Sequence, residues 1–407
     1  MSTDTFTYYF VYKVRGSQVN APATPTYDQR GEPISPPATG TSFPLHILAQ
    51  GSAKASYVTI VGQATPGHYS YIGPDGTAKP VTDQPNGMSF PLALAPGGAV
   101  TLPSEFQGAR IFFSAKPLTM PAATIDGRSS DSGYVQPDLN NPADPNQGNP
   151  YDFFEYTFKT ADSGQRGIAF GGNTTQVDGF SIPITAELRQ DSSGIDQKVG
   201  IEGKNAAQII TGYKTFVGDD AAFASLVNAD NTHITAPRSA PAFQGGDAAY
   251  FDTAVTDAWA KWRDGFTLVD GTSTFEGETE GDKLSFRKIV AGKQTGETGT
   301  VTKPTTAEVA ACNGSLSTGT SGEKFVEAHL CAAFNRGITH NDPSTWSDPS
   351  TYYNPGTAYN KYAAFFHRES ISNLAYAFAY DDVYDQSSVM VLPNAQPPSN
   401  LTLTLGG

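Results

Sequence analysis

The sequence predicts a mainly β protein in which a region of mixed α and β structure is inserted between two sets of strands. Glycine (41 residues) and proline (29 residues) are abundant, while only 16% of the residues are charged. This composition suits many strands joined by turns. Strand-like runs occupy both ends of the chain, and helical patterns lie between them. The order favours one β-barrel or sandwich that is interrupted by an α/β insertion.

The first part of the chain contains short apolar runs separated by turn residues. Residues 6–12, 57–61 and 108–114 are rich in aromatic and β-branched side chains, which strands prefer. Residues 137–150 are full of Asn, Asp, Pro and Gly, and this composition is typical of a surface loop. The region therefore reads as strands and turns.

One predicted strand, over residues 151–159, carries a carboxylate. Its aromatic residues alternate with Glu155 and Thr157, and a strand sends alternate side chains to opposite faces. If the aromatic row faces the core, Glu155 and Thr157 share the other face. A second strand-like run, over residues 176–183, carries Asp178. Two carboxylates on neighbouring strands are what glycosidic bond cleavage needs, although a single Glu on such a strand is more often a solvated surface residue.

Five segments in the middle of the chain show helical patterns. They cover residues 219–228, 247–263, 305–312, 323–335 and 357–368. The second segment has its apolar residues on one face, and Gly265 follows it as a stop signal. The third begins with Thr305, and Glu308 three positions later completes the pattern of a capping box.

Strand patterns return near the end of the chain. They cover residues 376–380, 388–392 and 401–405. These boundaries predict a β domain built from residues 1–185 and 370–407, with residues 186–369 inserted as a mixed α/β domain. Asp381 and Asp382, in the closing segment, are predicted to be structural partners of loop amides, and the alternative is a position in the cleft.

Five motifs, spread from the middle of the chain to its end, occur in an informative order. They are Phe154-Glu-Tyr-Thr-Phe, Gln176-Val-Asp-Gly-Phe-Ser-Ile-Pro, Asp257-Ala-Trp-Ala-Lys-Trp-Arg, Leu330-Cys-Ala-Ala-Phe-Asn-Arg and Tyr376-Ala-Phe-Ala-Tyr-Asp-Asp-Val. Together they resemble glycoside hydrolase family 64, the β-1,3-glucanases of the laminaripentaose-producing type. The resemblance implies a thaumatin-like β-barrel or sandwich that faces a mixed α/β domain across a wide groove. It also implies an endo-β-1,3-glucanase acting on curdlan or laminarin, and the alternative is a non-catalytic thaumatin-like glucan-binding or defence protein.

The resemblance assigns roles to the two carboxylates. Family 64 enzymes are inverting, so Glu155 would be the general acid and Asp178 the general base that activates water. Inversion requires the two carboxyl groups to stand about 6.5–9.5 Å apart. The aromatic sequence neighbours of Glu155 would favour its protonated form, whereas Asp178 precedes a glycine in a more polar run.

Four further positions follow from the same resemblance as substrate-binding candidates. Arg110 matches the arginine of the acidic cleft of thaumatin-like glucanases, and Asn173 stands where those proteins carry a further Asp. Thr157 and Thr175 match threonines that contact sugar in family 64. The connection between the two acidic strands is longer here, which leaves the neighbouring subsites open.

Trp346 is a separate binding candidate because it lies in a polar loop, and sugar faces stack on aromatic rings. Trp259 and Trp262 have helical core spacing and are predicted to be packing residues.

The chain has two cysteines, Cys312 and Cys331. The resemblance and an extracellular substrate favour a disulfide between them, which would contribute about 3 kcal/mol in the chain-entropy model. The alternative is a pair of free buried thiols in a cytosolic protein.

The charge balance restricts the partners. Forty acidic and 26 basic residues give a net charge of −14, and no cluster of Lys and Arg suggests a nucleic-acid partner. No histidine pair has metal-ligand spacing and no phosphate-binding loop follows a strand, so neither a metal nor a cofactor is expected.

No apolar run reaches the length of a membrane span, and residues 1–6 lack the features of a secretory signal. Either a signal has been removed or the protein is made without one. We expect an extracellular monomer whose partner is a β-1,3-glucan.

Overall fold

The computed structural model describes residues 42–50, 55–84, 86–94, 99–103, 106–158, 170–392 and 396–406. The predicted opening strand at residues 6–12 lies outside these ranges. The strands in chain order are β1 (Ser42–Ala49), β2 (Tyr57–Thr65), β3 (His68–Ile72), β4 (Ala78–Pro80), β5 (Phe90–Pro91), β6 (Ala99–Pro103), β7 (Phe106–Ser114), β8 (Ala122–Ile125), β9 (Arg128–Tyr134), β10 (Tyr151–Phe158), β11 (Phe170–Thr174), β12 (Gly179–Phe180), β13 (Ile184–Gln190), β14 (Ile195–Gly200), β15 (Ile234–Thr235), β16 (Phe266–Asp270), β17 (Ser273–Glu280), β18 (Lys283–Val290), β19 (Lys293–Thr302), β20 (Val389–Val391) and β21 (Asn400–Leu405). The helices are α1 (Ala206–Val217), α2 (Ala221–Ala224), α3 (Pro241–Gln244), α4 (Asp252–Lys261), α5 (Thr306–Ala311), α6 (Ser321–Arg336) and α7 (Lys361–Glu369).

Two sheets form the β part of the protein. One runs in the order β14-β13-β21-β1-β6, and the other in the order β20-β11-β10-β7-β2-β3-β4, with β5 paired to β2. Among the described residues neither order closes on itself. The predicted mainly β class with helices in the middle is confirmed, and the sheets pack as a sandwich.

The sandwich core lies between the two sheets. Phe43 from β1 meets Phe158 and Phe170 from the facing sheet edge-to-face, with ring centroids 5.1 and 5.6 Å apart. Leu403 on β21 and Phe154 on β10 are fully buried in the same cluster. Burial of these side chains contributes roughly 1.5–3 kcal/mol each, and it sets the face that each strand turns inward.

A second core lies among the helices. It joins apolar residues of α1, α4, α5, α6 and α7 to one face of the four-stranded sheet β16-β17-β18-β19. The residues predicted for the apolar face of the second helical segment are all buried there: Phe251, Val255, Ala258, Trp259 and Trp262. The four strands between residues 266 and 302 were not predicted individually.

The helix boundaries follow local signals. Thr305 accepts a hydrogen bond from the Glu308 amide, and the Glu308 side chain accepts one from the Thr305 amide, so the predicted capping box is confirmed. Gly265 ends the turn after α4 at a φ of 124°, a value that favours glycine. The prediction at residues 219–228 was too long, because only α2 is helical there.

The closing motif is not a strand at residues 376–380, and the prediction of a strand there was wrong. Tyr380 has a φ of 67°, and the Asp381 carboxylate accepts a hydrogen bond from the Ala377 amide at 3.0 Å. The Ala377 amide therefore donates to a side chain and not to a neighbouring strand. The predicted structural role of Asp381 agrees with this contact.

Cys312 and Cys331 form a disulfide between the C-terminal end of α5 and α6, with Cα atoms 5.8 Å apart. Within the described ranges, no helix combines the length and the apolar character needed to cross a membrane.

Candidate active site

Glu155 lies on β10 in the middle of the larger sheet. The aromatic residues that alternate with it, Phe154, Tyr156 and Phe158, are buried in the sandwich core. Glu155 and Thr157 are on the opposite, partly exposed face, which confirms the predicted alternation. The adjacent aromatic residues Phe154 and Tyr156 therefore point away from the carboxylate, and Phe153 shares its face, so the aromatic surrounding expected for Glu155 is formed only in part.

Arg110 is the main neighbour of Glu155. It lies directly opposite on β7, and both its Nε and its Nη2 stand 2.8 Å from Glu155 Oε1. Each of the two side chains is 16% exposed. The guanidinium also stacks over the Phe153 ring, 4.7 Å from its centroid. Arg110 is thus held in a fixed orientation against the carboxylate.

Asp178 does not lie in a long strand. The predicted run at residues 176–183 is extended only at β12, and Asp178 occupies the bend before it. The Asp178 carboxylate accepts a hydrogen bond from Gln136 Nε2 at 3.2 Å and lies 3.2 Å from Arg238 Nη1. Its side chain remains 32% exposed, so a ligand can reach it.

Gln136 connects the two acidic groups. Its Oε1 accepts a hydrogen bond from Arg110 Nη1, while its Nε2 donates to Asp178. A continuous path of side-chain hydrogen bonds therefore runs from Glu155 through Arg110 and Gln136 to Asp178. Two side chains, Arg110 and Gln136, therefore bridge the carboxylates of Glu155 and Asp178.

The segment that carries Asp178 crosses between the two cores. Phe180 is buried in the helical core, whereas Ile182 is buried in the sandwich core. The amides of Ser181 and Ile182 donate to Asp152 Oδ2 at 2.6 and 2.7 Å. Asp152 is on the same strand as Glu155, so β10 positions one carboxylate directly and the segment of the other through these amides.

His233 packs against the same segment, at Gly179 and Ser181. Its ring lies so close to Gly179 that a Cβ there would stand 2.5 Å from His233 Cε1, and Gly179 has a φ of 153°. His233 Nδ1 lies 2.9 Å from Ser181 Oγ. Burial lowers the pKa of His233 to about 4, so the imidazole is neutral at pH 7 and adds no charge near Asp178.

Asp152 gives a prediction about pH and stability. Burial raises the pKa of the Asp152 carboxyl to about 8, against the opposing effect of the two amides. The unfolded chain releases this proton near pH 3.9, so the stabilising contribution of Asp152 is lost as the pH rises from about 4 to about 8. The loss reaches at most about 1.4 kcal/mol for each pH unit.

Asp152→Asn should remove this pH dependence, because the amide oxygen can still accept from both backbone amides. Thermal unfolding of both proteins at pH 5 and pH 8 tests it. We expect the variant to gain stability relative to the wild type at the higher pH, and parallel pH dependences would contradict the expectation.

The other predicted binding residues divide into two groups. Thr157 is partly exposed beside Glu155, and its Oγ1 accepts from the Gly108 amide at 3.0 Å. Asn173 lies opposite Glu155 on β11 but is 0% exposed, and Thr175 is buried, with its Oγ1 bonded to the Val177 amide. Direct contact of these two with a sugar, as predicted, conflicts with their burial.

Trp346 is not at this site, and its prediction as a binding residue is corrected. It is 0% exposed, and its ring packs 6.1 Å from Trp262 and 6.2 Å from Phe266 in the helical core. A ring enclosed in this way has no free face for a sugar. The polar residues around it in the sequence cap short turns instead.

Sequence reasoning missed Gln136, Arg238 and Asp152. Asp152 lies in the predicted strand at residues 151–159. A polar residue among aromatic ones in that strand was a signal that could have identified it. Gln136 comes from a loop and Arg238 from a short 3-10 helix, both outside the two motifs, and no local pattern marks them. Among the described residues, no group of three His, Cys, Asp or Glu is placed to hold a metal ion.

Comparison with known proteins shows the family to which this chain belongs. A family model for glycoside hydrolase family 64, described as β-1,3-glucanase, matches residues 41–405. A glucan endo-1,3-β-glucosidase from Arthrobacter sp. (strain YCWD3) is 26% identical over 314 residues, which are 73% of this chain and 52% of that protein. The chain therefore spans about half the length of the curated relatives it matches.

Solved structures show the same fold. The crystal structure of a β-1,3-glucanase domain (GH64) from Clostridium beijerinckii has a TM-score of 0.76 at 26% identity, and the match covers 90% of this chain and 98% of that one. A laminaripentaose-producing β-1,3-glucanase in complex with laminaritetraose has a TM-score of 0.72 at 22% identity, covering 91% and 99%. At 22% identity the second likeness concerns the fold alone.

Proposed function

This chain belongs to glycoside hydrolase family 64, the β-1,3-glucanases, and on that premise we propose that it is an endo-β-1,3-glucanase that releases short oligosaccharides. The observation that carries the proposal is the hydrogen-bonded path that links the carboxylates of Glu155 and Asp178 through Arg110 and Gln136. Both carboxylates are partly exposed. Glycoside hydrolysis needs two such groups on either side of the scissile bond.

In the proposed mechanism Glu155 protonates the leaving oxygen and Asp178 activates the attacking water. We take the course to be inverting, as the family resemblance implies; this requires the two carboxyl groups to stand about 6.5–9.5 Å apart, whereas a retaining enzyme would need about 5–5.5 Å. Arg238 pairs with the carboxylate of Asp178, the group that would act as general base. Arg110 orients the acid and, with Thr157, supplies polar contacts for sugar hydroxyls.

Asn173 and Thr175 have a supporting role in this proposal. Asn173 lies beside Glu155 on the neighbouring strand and Thr175 lies in the turn that leads to Asp178. Thr175 would hold the turn through its bond with the Val177 amide, whereas Asn173 would act through its packed position beside Glu155.

We further propose that the sandwich is of the thaumatin-like type. We also propose that the protein has two domains, for which the sequence predicted residues 1–185 and 370–407 as the β domain and residues 186–369 as the insertion. The two separate cores support the division. The first boundary moves to the end of β14, because β13 and β14 pair within the smaller sheet. The second moves to about residue 388, because Phe378 is buried in the helical core and β20 in the sandwich.

The proposed partner is a β-1,3-glucan such as curdlan or laminarin, and the proposed setting is an extracellular monomer. The disulfide between Cys312 and Cys331 supports an oxidising compartment. The net charge of −14 suits a neutral polysaccharide better than a polyanion.

Incubation of the purified protein with β-1,3-, β-1,4- and β-1,6-glucans tests the proposal. We expect short oligosaccharides and new reducing ends from the β-1,3-glucan alone, detected by chromatography. Retention on insoluble β-1,3-glucan without new reducing ends would favour the non-catalytic binding protein. Cleavage of only another linkage would overturn the substrate.

A further inference from the structure

We propose that Gln136 is a positioning residue that sets Asp178 relative to Glu155 during hydrolysis. This inference rests on the proposed function and goes beyond it, because neither the family comparison nor the sequence motifs assign a role to residue 136. Gln136 follows β9 by two residues, outside the strands that carry the two carboxylates.

The contacts of Gln136 define the orientation of its side-chain amide. A guanidinium can only donate hydrogen bonds and an ionised carboxylate can only accept them. The amide oxygen therefore faces Arg110 and the amide nitrogen faces Asp178, as the structure has it. If the amide were rotated by 180°, its nitrogen would face the donors of Arg110 and its oxygen would face the acceptor of Asp178. Arg110 and Asp178 therefore fix a single orientation of the amide.

The backbone of Gln136 is fixed on both sides. The Val135 amide donates to the Pro121 carbonyl at 2.8 Å, and Pro137 restricts Gln136 to extended conformations. The Tyr151 hydroxyl donates to the Pro137 carbonyl at 2.5 Å. Tyr151 begins β10, so Gln136 is attached to the same strand that carries Glu155.

Asp178 lies in a bend between two cores, and the contacts that hold its segment to β10 come three and four residues later, where the Ser181 and Ile182 amides donate to Asp152. Gln136 reaches it from the sandwich side and Arg238 from the helical side. Gln136 also bonds Arg110, the partner of Glu155, and so links the two carboxylates. A displacement of about 1 Å between reacting groups can reduce a rate by roughly 100-fold, so the loss of this link should affect turnover more than binding.

Two variants separate positioning from a structural role. Gln136→Met keeps the length of the side chain and removes both hydrogen bonds. Gln136→Glu keeps an acceptor for Arg110 but places a second carboxylate against Asp178. Ser132→Ala is the matched control, because Ser132 is an exposed residue of β9 whose Oγ contacts Ser130.

We expect Gln136→Met to lower kcat on laminarin roughly 10- to 100-fold with KM changed less than about threefold. The acid limb of the pH–rate profile should move to higher pH in Gln136→Glu, because a second negative charge disfavours the ionised base. The shift should be smaller in Gln136→Met. The control should retain the wild-type rate and profile.

Wild-type kcat and an unmoved acid limb in both folded variants would overturn the inference and leave the proposed function intact. A fall in melting temperature with an unchanged rate for the folded fraction would also overturn it. If the wild type cleaves no β-1,3-glucan, the proposed function fails and this inference fails with it.

Discussion

Glu155→Gln and Asp178→Asn are each expected to lower kcat on laminarin by about 10²- to 10⁴-fold, the usual size of a general acid or base contribution. Each substitution is nearly isosteric and removes one carboxyl group that the proposed reaction needs. The Gln amide cannot protonate a leaving oxygen, and the Asn amide cannot accept a proton from water. Initial rates of reducing-end release measure the effect.

The fold should survive both changes. Glu155→Gln keeps an amide oxygen that can accept from Arg110, and Asp178 is 32% exposed, so melting temperatures should stay near the wild-type value. Glu187→Gln is a suitable control, because Glu187 is also a strand carboxylate paired with an arginine, 2.7 Å from Arg189 Nε. A native rate in Glu155→Gln or Asp178→Asn would show that the assigned role is wrong.

The anomeric form of the first product distinguishes an inverting from a retaining mechanism. Inversion of a β-linkage releases the α-anomer, which NMR can detect before mutarotation. Initial release of the β-anomer would contradict the inverting mechanism while leaving the carboxylates as the reactive groups.

Asp381→Asn is expected to lower the free energy of unfolding by about 3–5 kcal/mol, more than any other substitution considered for this protein. Asp381 and Arg336 are both 0% exposed, and Arg336 Nη2 lies 3.3 Å from Asp381 Oδ1. The same carboxylate lies 3.0 Å from His367 Nε2 and holds the Ala377 amide. Removing its charge leaves the Arg336 guanidinium buried without a counter-ion, and this is the costly case.

Chemical denaturation of the wild type and Asp381→Asn measures this loss. Asp382→Asn makes the same chemical change one position later and is the matched control. Burial raises the pKa of Asp382 to about 6, so its charge is already disfavoured and its removal should cost little. Equal stabilities of the two variants would contradict the central role given to Asp381.

Several features of this protein could be predicted from short stretches of sequence. The alternation around Glu155, the capping box at Thr305 and the stop at Gly265 all follow from backbone geometry within a few residues. The order of five motifs indicated the family. In each case the information lies in neighbouring residues, so a linear reading is sufficient.

Other features depend on residues far apart in the sequence. The approach of Gln136 and Arg238 to Asp178, the burial of Trp346 and the turn at Tyr380 were not predicted correctly. Trp346 has polar sequence neighbours, yet it packs against Trp262, more than 80 positions earlier. Such contacts are created by the packing of sheets and helices against one another.

The sequence alone therefore determined the mainly β class, the strand that presents Glu155 and the resemblance of the chain to one family, and it proposed Glu155 and Asp178 as the reactive carboxylates. Only the tertiary structure decided which side chains surround those acids and how they are linked. The physical reason is that backbone preferences act locally, whereas the environment of a carboxylate is assembled from separate strands and loops brought together by burial of two apolar cores.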